Sequence, residues 1–415
     1  MIDIIQQRGQ EKPNQIFIKH KDLLITYKKF NNMISNAMES IHHIKLQHIG
    51  IQIHDKIKLL ITINAINRLN KIPIIYPCTP NIKDYTNETN IPILIKDEDI
   101  IINDDDNSLN TDIEYNIHDT QLVIFTSGTT GKPKACELTY NNIYQSALIW
   151  HDIIHFTSKD IYLNHMPLTH VSGLCIFYRA LYLNFIMAID NFDAIKYNDY
   201  IKKYNITIIS MVPSMLHKIV HANRNLNLLK NMKVIIMGGS NINNNLIEII
   251  NTYQLPVYMS YGMTETCSGI AGYWVGYANK YSPHNKVNIN VEKSYLSIES
   301  PTVMKGYLNQ QQTNNKIKTH DIGTIDDKNT FQVERRGDGT IISGGENISI
   351  QYIQKHIEKY PEIQKCTLKI VPDQEWGVVL HALIKCKNSI NNNDLLKKLK
   401  KNLPHYMIPK RITIQ

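Results

Sequence analysis

The sequence predicts an α/β protein with a large N-terminal domain and a small, mobile α+β C-terminal lid domain. Short apolar runs alternate with helix-like stretches through most of the chain, which is the pattern of mixed and parallel sheets flanked by helices. Residues 287–300 and 324–336 have a hairpin pattern instead, so a β-rich section follows. Four glycines then fall within residues 337–345, where the chain can bend. We place the boundary just before them, which gives domains 1–334 and 335–415.

The first 110 residues already show this alternation. Apolar runs bounded by turn-forming residues predict strands over 48–54, 73–77 and 92–95. Residues 25–38 predict a short strand followed by a helix. The stretch 96–110 is acidic and rich in asparagine, which is typical of a solvated loop.

The alternation becomes stronger from residue 121 onward. Residues 122–125 predict a strand, and the apolar spacing over 139–154 predicts a helix. Three further strands are predicted at 206–209, 234–237 and 256–258, each followed by a turn containing Pro, Gly or Ser. Ligands of parallel α/β proteins bind at the carboxyl ends of the strands. The segments after these strands are therefore the first candidates for a binding site.

The composition excludes several classes of function. Hydrophobic residues make up 43% and charged residues 20% of the 415 residues, as in an ordinary soluble globular protein. The net charge of +8 is modest, and the lysines are scattered among Asp and Glu. A nucleic-acid surface more often clusters its basic residues among aromatic ones. We therefore expect an anionic small-molecule substrate and no nucleic acid.

Cysteine spacing and hydropathy suggest a cytoplasmic, reduced protein. The six cysteines lie far apart without CxxC spacing, which disfavours a zinc site or a disulfide framework. Charges interrupt the first twenty residues, unlike the core of a signal peptide. The nearest approach to a membrane helix, 174–189, contains Arg179 and Asn184, so no membrane span is predicted. The sequence does not predict an oligomeric state.

The segment Phe125–Lys134, FTSGTTGKPK, combines hydroxyls, glycines and lysines directly after a predicted strand. Small residues let backbone N–H groups approach phosphate oxygens, while hydroxyls and lysines add hydrogen bonds and charge. The glycine spacing does not fit a mononucleotide P-loop, which needs four residues between its glycines before GK. A different phosphate-binding loop is the interpretation, and a polar surface loop is the alternative.

Four later stretches favour the phosphate-binding interpretation. They are MPLTHVSGL (166–174), MGGS (237–240), SYGMTETCS (260–268) and KTHDIG (318–323). The second and third each follow a predicted strand, and the third holds an aromatic, a hydroxyl and a carboxylate within five residues. Any one of them could be a turn, but their order along the chain is informative.

In this order the motifs resemble those of the adenylate-forming superfamily, which includes acyl- and aryl-CoA ligases, luciferases and nonribosomal adenylation domains. The resemblance extends from Thr26–Tyr27 to Pro409–Lys410, nearly the whole chain. TSGTTGKPK matches almost completely, and YGMTE is nearly as specific. The resemblance implies ATP, Mg²⁺, a carboxylic acid and CoA as reactants, an acyl-adenylate intermediate and no protein nucleophile.

The resemblance also implies roles in nucleotide binding. Tyr261 would stack on adenine, and Asp321 and Arg335 would reach the ribose. Thr264 would hydrogen-bond the α-phosphate, and Glu265 would hold Mg²⁺; both count as catalytic. The full set assigned to ATP and its pocket is Thr126, Ser127, Gly128, Thr129, Thr130, Gly131, Lys134, Gly239, Ser240, Tyr261, Gly262, Asp321 and Arg335.

The C-terminal lid of this superfamily rotates about a hinge to admit CoA after adenylation. By resemblance, Asp338 is the hinge candidate, with an uncertainty of one position because the stretch ERRGDGTIIS is one residue longer than the family pattern. The loop that would face the pantetheine tunnel consists of Gly344, Gly345, Glu346 and Asn347.

Within the superfamily the sequence is most similar to the o-succinylbenzoate–CoA ligases. HVSGLCIFYR, YGMTETCS and IISGGENI carry this likeness. It implies an acid pocket formed by His170, Ser172, Gly173, Arg179 and Ser268. Arg179 would bind the carboxylate that is not activated, because Arg–carboxylate pairing is strong and directional. The alternatives are that Arg179 reaches solvent or a structural carboxylate, and that His170, also a catalytic candidate, only packs.

The sequence departs from the family pattern at several positions. It stops at Gln415, before the family's lysine segment, so we expect weakened adenylation. His320 precedes Asp321 where glycine is usual, Glu334 replaces Asp, and Ile350 replaces Pro. Three alternatives stay open: another aryl- or short acyl-CoA ligase, a nucleotide-binding remnant without turnover, and a carrier-protein adenylation module.

Overall fold

The structure is a computed structural model that describes residues 1–101, 113–127, 132–222, 226–388 and 390–414. The α-helices are α1 (Ile4–Glu11), α2 (Tyr27–Ile41), α3 (Lys56–Arg68), α4 (Ile82–Thr89), α5 (Tyr140–Ile154), α6 (Val171–Leu183), α7 (Tyr197–Tyr204), α8 (Pro213–Ala222), α9 (Asn227–Lys230), α10 (Asn244–Thr252), α11 (Ile350–Glu358) and α12 (Asn392–Asn402).

The strands of the first 275 residues are β1 (Ile16–His20), β2 (Leu23–Thr26), β3 (His48–Gln52), β4 (Ile72–Ile75), β5 (Ile93–Lys96), β6 (Thr120–Ser127), β7 (Pro133–Thr139), β8 (Ile161–Asn164), β9 (Ile186–Ile189), β10 (Ile208–Met211), β11 (Val234–Met237), β12 (Val257–Met263) and β13 (Ser268–Trp274). The later strands are β14 (Ser282–Pro283), β15 (Asn288–Glu292), β16 (Tyr295–Glu299), β17 (Gly306–Tyr307), β18 (Lys316–Ile325), β19 (Phe331–Arg336), β20 (Thr340–Ser343), β21 (Glu346–Ser349), β22 (Ile363–Asp373), β23 (Gly377–Cys386) and β24 (Arg411–Ile414).

Two large sheets organise the N-terminal part. One has nine strands in the order β14-β13-β12-β11-β10-β8-β9-β1-β2, and the other has six in the order β17-β7-β6-β4-β3-β5. Neighbours from β1 through β9, β8, β10 and β11 to β12 are parallel, as are β5, β3, β4 and β6. The alternating sequence pattern therefore gives parallel sheets with crossover helices, and the predicted α/β fold class is confirmed.

The β-rich section forms a sheet of its own, in the order β15-β16-β18-β19. Its neighbouring strands are antiparallel, and β15–β16 and β18–β19 are the two hairpins that the sequence pattern predicts. The predicted boundary between residues 334 and 335 lies inside β19, which stays paired with β18 up to Arg336.

The C-terminal part builds a separate core. The β20–β21 hairpin, α11, α12 and the three-stranded sheet β22-β23-β24 enclose buried residues such as Ile353, Ile384 and Leu395. β22 and β23 are antiparallel, and β24 adds to β23 in parallel. An αβ pattern of about this size is what the sequence predicts after residue 337.

Local sequence signals explain where the site-bearing elements begin and end. All four residues of β11 are buried, as expected for a central parallel strand with two covered faces. Thr139 and Asn142 form a reciprocal capping box that starts α5. Asn184 ends α6 in the left-handed conformation, which asparagine adopts readily. Within the described ranges, no helix is both long enough and apolar enough to cross a membrane.

Candidate active site

A cavity of about 1490 Å³ opens where the carboxyl ends of the parallel strands meet the C-terminal domain. Both the N-terminal sheets and the loop after β20 supply its walls. It brings together most of the residues that the sequence motifs single out. These lining residues are Thr126, Lys134, His170, Ser172, Arg179, Gly239, Ser240, Tyr261, Gly262, Thr264, Glu265, Ser268, Asp321, Arg335, Gly344, Gly345, Glu346 and Asn347.

The remaining predicted residues have other positions. Gly128, Thr129, Thr130 and Gly131 lie outside the described residues, and Ser127 ends β6, where its backbone pairs with Pro133. Gly173 packs behind the wall, where an added Cβ would lie 2.3 Å from the carbonyl oxygen of Pro167. Asp338 lies in a turn, where its carboxylate accepts hydrogen bonds from Arg336.

Glu265 presents a carboxylate to the cavity beside Tyr307. The tyrosine hydroxyl donates to Oε1 of Glu265 at 2.8 Å, and Nζ of Lys134 lies 4.9 Å from the tyrosine ring centre. Among the described residues Glu265 forms no ion pair, so its second oxygen is open to a cation. A hard oxygen ligand of this kind fits Mg²⁺, which is bound in proteins through one or two carboxylates and substrate phosphates.

Asp321 anchors a second polar group. Its Oδ2 accepts a 2.7 Å hydrogen bond from the Tyr261 hydroxyl, and its Oδ1 accepts one of 3.3 Å from Arg336. Burial, and then the negative charge of Asp321, raises the pKa of Tyr261, so the phenol stays a donor. Arg335, the predicted ribose contact, is exposed at the cavity rim, while Arg336 carries the ion pair.

Arg179 supplies positive charge to the cavity from α6. The residue is 4% exposed, and its Nη2 donates to Ser268 Oγ at 2.6 Å. Its guanidinium carbon lies 4.8 Å from the Trp150 ring centre, while its Nε has no hydrogen-bond partner among the described residues. A buried guanidinium with spare donors suits a ligand carboxylate. His170, at the N-cap of the same helix, and Ser172 also face the cavity.

The loop Gly344–Asn347 meets the N-terminal domain closely. Gly345 packs on Val212, because a Cβ added to Gly345 would lie 2.6 Å from Cγ1 of Val212. Gly239 packs against both of these residues. Gly344 has φ +60° and faces Trp376, whose ring would lie 2.3 Å from an added Cβ. Glycine is required here because both the backbone conformation and the space exclude a side chain.

Three residues at the site were not predicted from the sequence, namely Trp150, Tyr307 and Arg336. Trp150 lies on the apolar face of α5, and that position predicts core packing equally well. Tyr307 meets Glu265 only because β17 pairs with β7. By its resemblance to the family, the motif assigned the ribose contact to Arg335. The strand register instead places the next residue, Arg336, opposite Asp321.

Comparisons with known proteins identify the family. The AMP-binding enzyme family matches residues 56–308, a range that includes both TSGTTGKPK and YGMTE. The chain belongs to this family. The resemblance of the motifs to adenylate-forming enzymes is thereby confirmed.

Several AMP-binding enzymes are similar to this one along much of their length. The 2-succinylbenzoate–CoA ligase of Bacillus licheniformis is 32% identical over 323 residues, which cover 72% of this chain and 67% of that enzyme. The Oceanobacillus iheyensis ligase of the same name is 29% identical over 422 residues, 89% of this chain and 87% of that enzyme. The match to the Staphylococcus aureus strain JH9 ligase covers 64% of that enzyme, at 32% identity.

Solved structures share the fold. A double mutant of o-succinylbenzoate CoA synthetase (MenE) from Bacillus subtilis, bound to the product analogue OSB-NCoA, aligns with a TM-score of 0.89 and 23% identity. The alignment covers 100% of this chain and 94% of that one. The same Bacillus subtilis enzyme with the acyl-adenylate OSB-AMP aligns with a TM-score of 0.74 and 22% identity, with equal coverage.

Proposed function

We propose that this chain is an ATP-dependent, AMP-forming ligase that joins 2-succinylbenzoate to CoA. The observation that carries the proposal is the buried guanidinium of Arg179 in the cavity wall, which forms no ion pair with any residue that the structure describes. 2-Succinylbenzoate has two carboxylates, of which one reacts and one must stay unmodified. A desolvated arginine recognises the unreacted carboxylate strongly. The similar sequences that bear the name 2-succinylbenzoate–CoA ligase support the same acid.

In the first half-reaction an oxygen of the reacting carboxylate attacks the α-phosphorus of ATP, and pyrophosphate leaves. The chain's contribution is positioning and electrostatic stabilisation, because ATP and the acid contain all the bonds that form and break. Thr264 donates to the α-phosphate and Lys134 adds positive charge, both from the same cavity wall. Glu265 would hold Mg²⁺, which would supply further positive charge to the phosphates.

Nucleotide orientation comes from the Tyr261–Asp321 pair. The Tyr261 hydroxyl holds Oδ2 of Asp321 in place. Oδ1, which lies beside Arg336, is then the oxygen that accepts a hydrogen bond from a ribose hydroxyl. The Tyr261 ring itself packs on Tyr281 and Phe331, which fixes its plane for stacking on a base. Tyr261 and Asp321 thereby hold the adenine and the ribose in place before the phosphates react.

In the second half-reaction the CoA sulfur attacks the acyl carbonyl, the thiol proton is released and AMP leaves. The Gly344–Asn347 loop reaches the cavity from the C-terminal domain. Its two glycines let the backbone pass close to Val212 and Trp376, where a larger residue would not fit. The loop thereby supports the CoA-facing role that its sequence predicts.

The test is an acid panel with the 415-residue chain, Mg·ATP and CoA. 2-Succinylbenzoate, benzoate and octanoate are incubated separately, and acyl-CoA and AMP are quantified by mass spectrometry. We expect acyl-CoA and AMP in equal amounts from 2-succinylbenzoate alone. A greater rate with benzoate or octanoate would overturn the choice of acid. ATP binding without acyl-CoA from any acid would overturn the ligase proposal.

A further inference from the structure

The surroundings of Arg179 are unusual for a buried cation. Among the described residues no ion pair includes Arg179. Its partners are neutral: Ser268 Oγ at 2.6 Å, the Tyr162 hydroxyl, and the face of Trp150. A buried charge without an acid partner needs compensation from elsewhere in the fold.

Trp150 provides the most specific compensation. The guanidinium carbon lies 4.8 Å from the ring centre, within the distance at which a cation is attracted to an aromatic face. Tryptophan gives the strongest interaction of this kind, and desolvation strengthens it. Trp150 is 1% exposed yet also lines the cavity, so the contact is shielded from water at the place where the ligand binds.

The tryptophan ring is fixed in its position. Gly269 leaves room for it, since an added Cβ there would lie 2.6 Å from Trp150 Cζ2. His284 and Tyr258 meet the ring edge-on with centroid distances of 5.3 and 5.9 Å, and a hydrogen bond of 2.9 Å joins these two residues to each other. A ring held on three sides can hold the guanidinium in one orientation.

We propose that Trp150 is a positioning residue that holds Arg179 charged and free of any competing carboxylate, and thereby gives the pocket its preference for an acid with two carboxylates. This inference rests on the proposed function. An acidic partner would also stabilise Arg179, but it would compete with the substrate. An aromatic face stabilises the cation without occupying its N–H donors, so the guanidinium at the cavity wall stays available to a ligand carboxylate.

The thiol of Cys175 offers a second explanation for the buried charge, because its ionised form would stabilise Arg179 in place of Trp150. The Cys175 thiol is 3.8 Å from the Cys267 thiol, and the hydrogen bond between them lowers the pKa of Cys175, with a further contribution from Arg179. A thiolate there would act as a conventional counter-ion. Cys175→Ala therefore separates the two explanations.

The experiment compares 2-succinylbenzoate with two monoacids, 4-oxo-4-phenylbutanoate and 2-butanoylbenzoate, each of which lacks one of its carboxylates. Binding by calorimetry and steady-state kinetics are measured for wild type, Trp150→Leu and Trp150→Phe. We expect Trp150→Leu to raise Kd and KM for 2-succinylbenzoate on the order of tenfold, with less effect on kcat and on the monoacid that lacks the carboxylate bound by Arg179. Trp150→Phe keeps an aromatic face and should recover most of the affinity.

Two controls complete the design. Trp274→Leu removes a tryptophan that also packs on Tyr258 but does not contact Arg179, and it should leave acid selectivity unchanged. An unchanged Kd for ATP shows that each variant is folded. Equal losses for the diacid and both monoacids in Trp150→Leu, no recovery in Trp150→Phe, or a selective loss in Cys175→Ala would each overturn the inference.

The outcomes separate the two proposals. If wild type binds 2-succinylbenzoate no tighter than the monoacids, the proposed function fails. If wild type prefers the diacid and Trp150→Leu keeps that preference, only the role of Trp150 fails. Calorimetry makes this distinction even where turnover is slow.

Discussion

The hydroxyl of Tyr307 donates a 2.8 Å hydrogen bond to Oε1 of Glu265, a residue 42 positions earlier in the chain. Burial, and then the negative charge of Glu265, raises the pKa of Tyr307. The phenol therefore stays protonated at neutral pH and holds one oxygen of the carboxylate in a fixed direction. The other oxygen is left for the metal that accompanies ATP.

Tyr307→Phe should weaken the use of Mg·ATP. A hydrogen bond to a charged group contributes about 1.5–3 kcal/mol, so kcat/KM for Mg·ATP should fall on the order of 10- to 100-fold. The measurement is pyrophosphate release at varied Mg²⁺, where the variant should need more of the ion for half-maximal rate. Tyr253→Phe makes the same chemical change on an exposed residue and should match wild type. Equal Mg²⁺ dependence in both variants would show that Tyr307 does not orient Glu265.

Arg179→Lys should impair recognition of the acid more than recognition of the nucleotide. Lysine keeps the charge but loses the fork of donors that reaches both Ser268 and a ligand carboxylate. KM for 2-succinylbenzoate should rise on the order of tenfold or more, with KM for ATP within about twofold of wild type. Initial-rate kinetics with each substrate varied measures both. Arg411→Lys, on an exposed position, is the matched control; an unchanged KM for the acid would refute the assignment of Arg179.

Arg336→Gln should destabilise the protein more than Arg335→Gln. Arg336 pairs with Asp321 at 3.3 Å and with Asp338 at 2.6 Å, and these carboxylates are 7% and 6% exposed. Removing the partner of buried charges costs about 3 kcal/mol, whereas a change at the exposed Arg335 should stay within about 0.5 kcal/mol. Urea denaturation measures both, and calorimetry with ATP measures the ribose contact. Weaker ATP binding in Arg335→Gln alone would assign the ribose to Arg335.

Central strands were predictable because burial on both faces leaves an unbroken apolar run. Val234–Met237, predicted as a strand, forms β11 with the same ends. β1 and β13 were not predicted. β1 has two residues that are only partly buried at its end, and β13 mixes glycine and serine among its apolar residues. In such strands the tertiary context, rather than the pattern, decides the structure.

The motif residues could be predicted to converge because parallel strands present their carboxyl ends at one edge of a sheet. Contacts between motifs could not be predicted in the same way. A register shift between Ile322 and Gly323 places Arg336 opposite Asp321, and no sequence signal marks that shift. Trp150 has the helical spacing of a core residue, and only the fold shows that one face of it meets a cation.

Gly344→Ala should slow thioester formation while sparing adenylation. The residue has φ +60°, and a Cβ there would lie 2.3 Å from the Trp376 ring. The lid must therefore shift, and kcat/KM for CoA should fall on the order of tenfold, with ATP–pyrophosphate exchange within about twofold of wild type. Gly339→Ala is the matched control, because Gly339 also has positive φ, +71°, but nothing within 4 Å of an added Cβ.

Both glycine variants should lose about 1 kcal/mol of stability from backbone strain, so a difference between them isolates the contact with Trp376. Single-turnover transfer from preformed acyl-adenylate to CoA is the decisive measurement. Equal transfer rates in the two variants would show that the Gly344 contact does not affect the CoA step.

Stability should fall with acid because two histidines are buried in the neutral form. Burial lowers the pKa of His165 to about 3, with a smaller contribution from Lys56, and burial followed by the charge of Arg179 lowers that of His284 to about 3. In the unfolded chain their pKa is about 6.5. Between these values the unfolded chain binds the protons, so stability decreases as pH falls below about 6.5 and is unaffected by these groups above it.

Each histidine should contribute a slope of about 1.4 kcal/mol per pH unit in that range. Urea denaturation at pH 8 and at steps down to pH 5 gives the free energy of unfolding for wild type, His165→Gln and His284→Gln. Each variant should show a shallower decline than wild type, whatever its stability at pH 8. His118→Gln, at an exposed position, should keep the wild-type slope. If all four proteins lose stability in parallel, carboxylates rather than these histidines set the acid sensitivity.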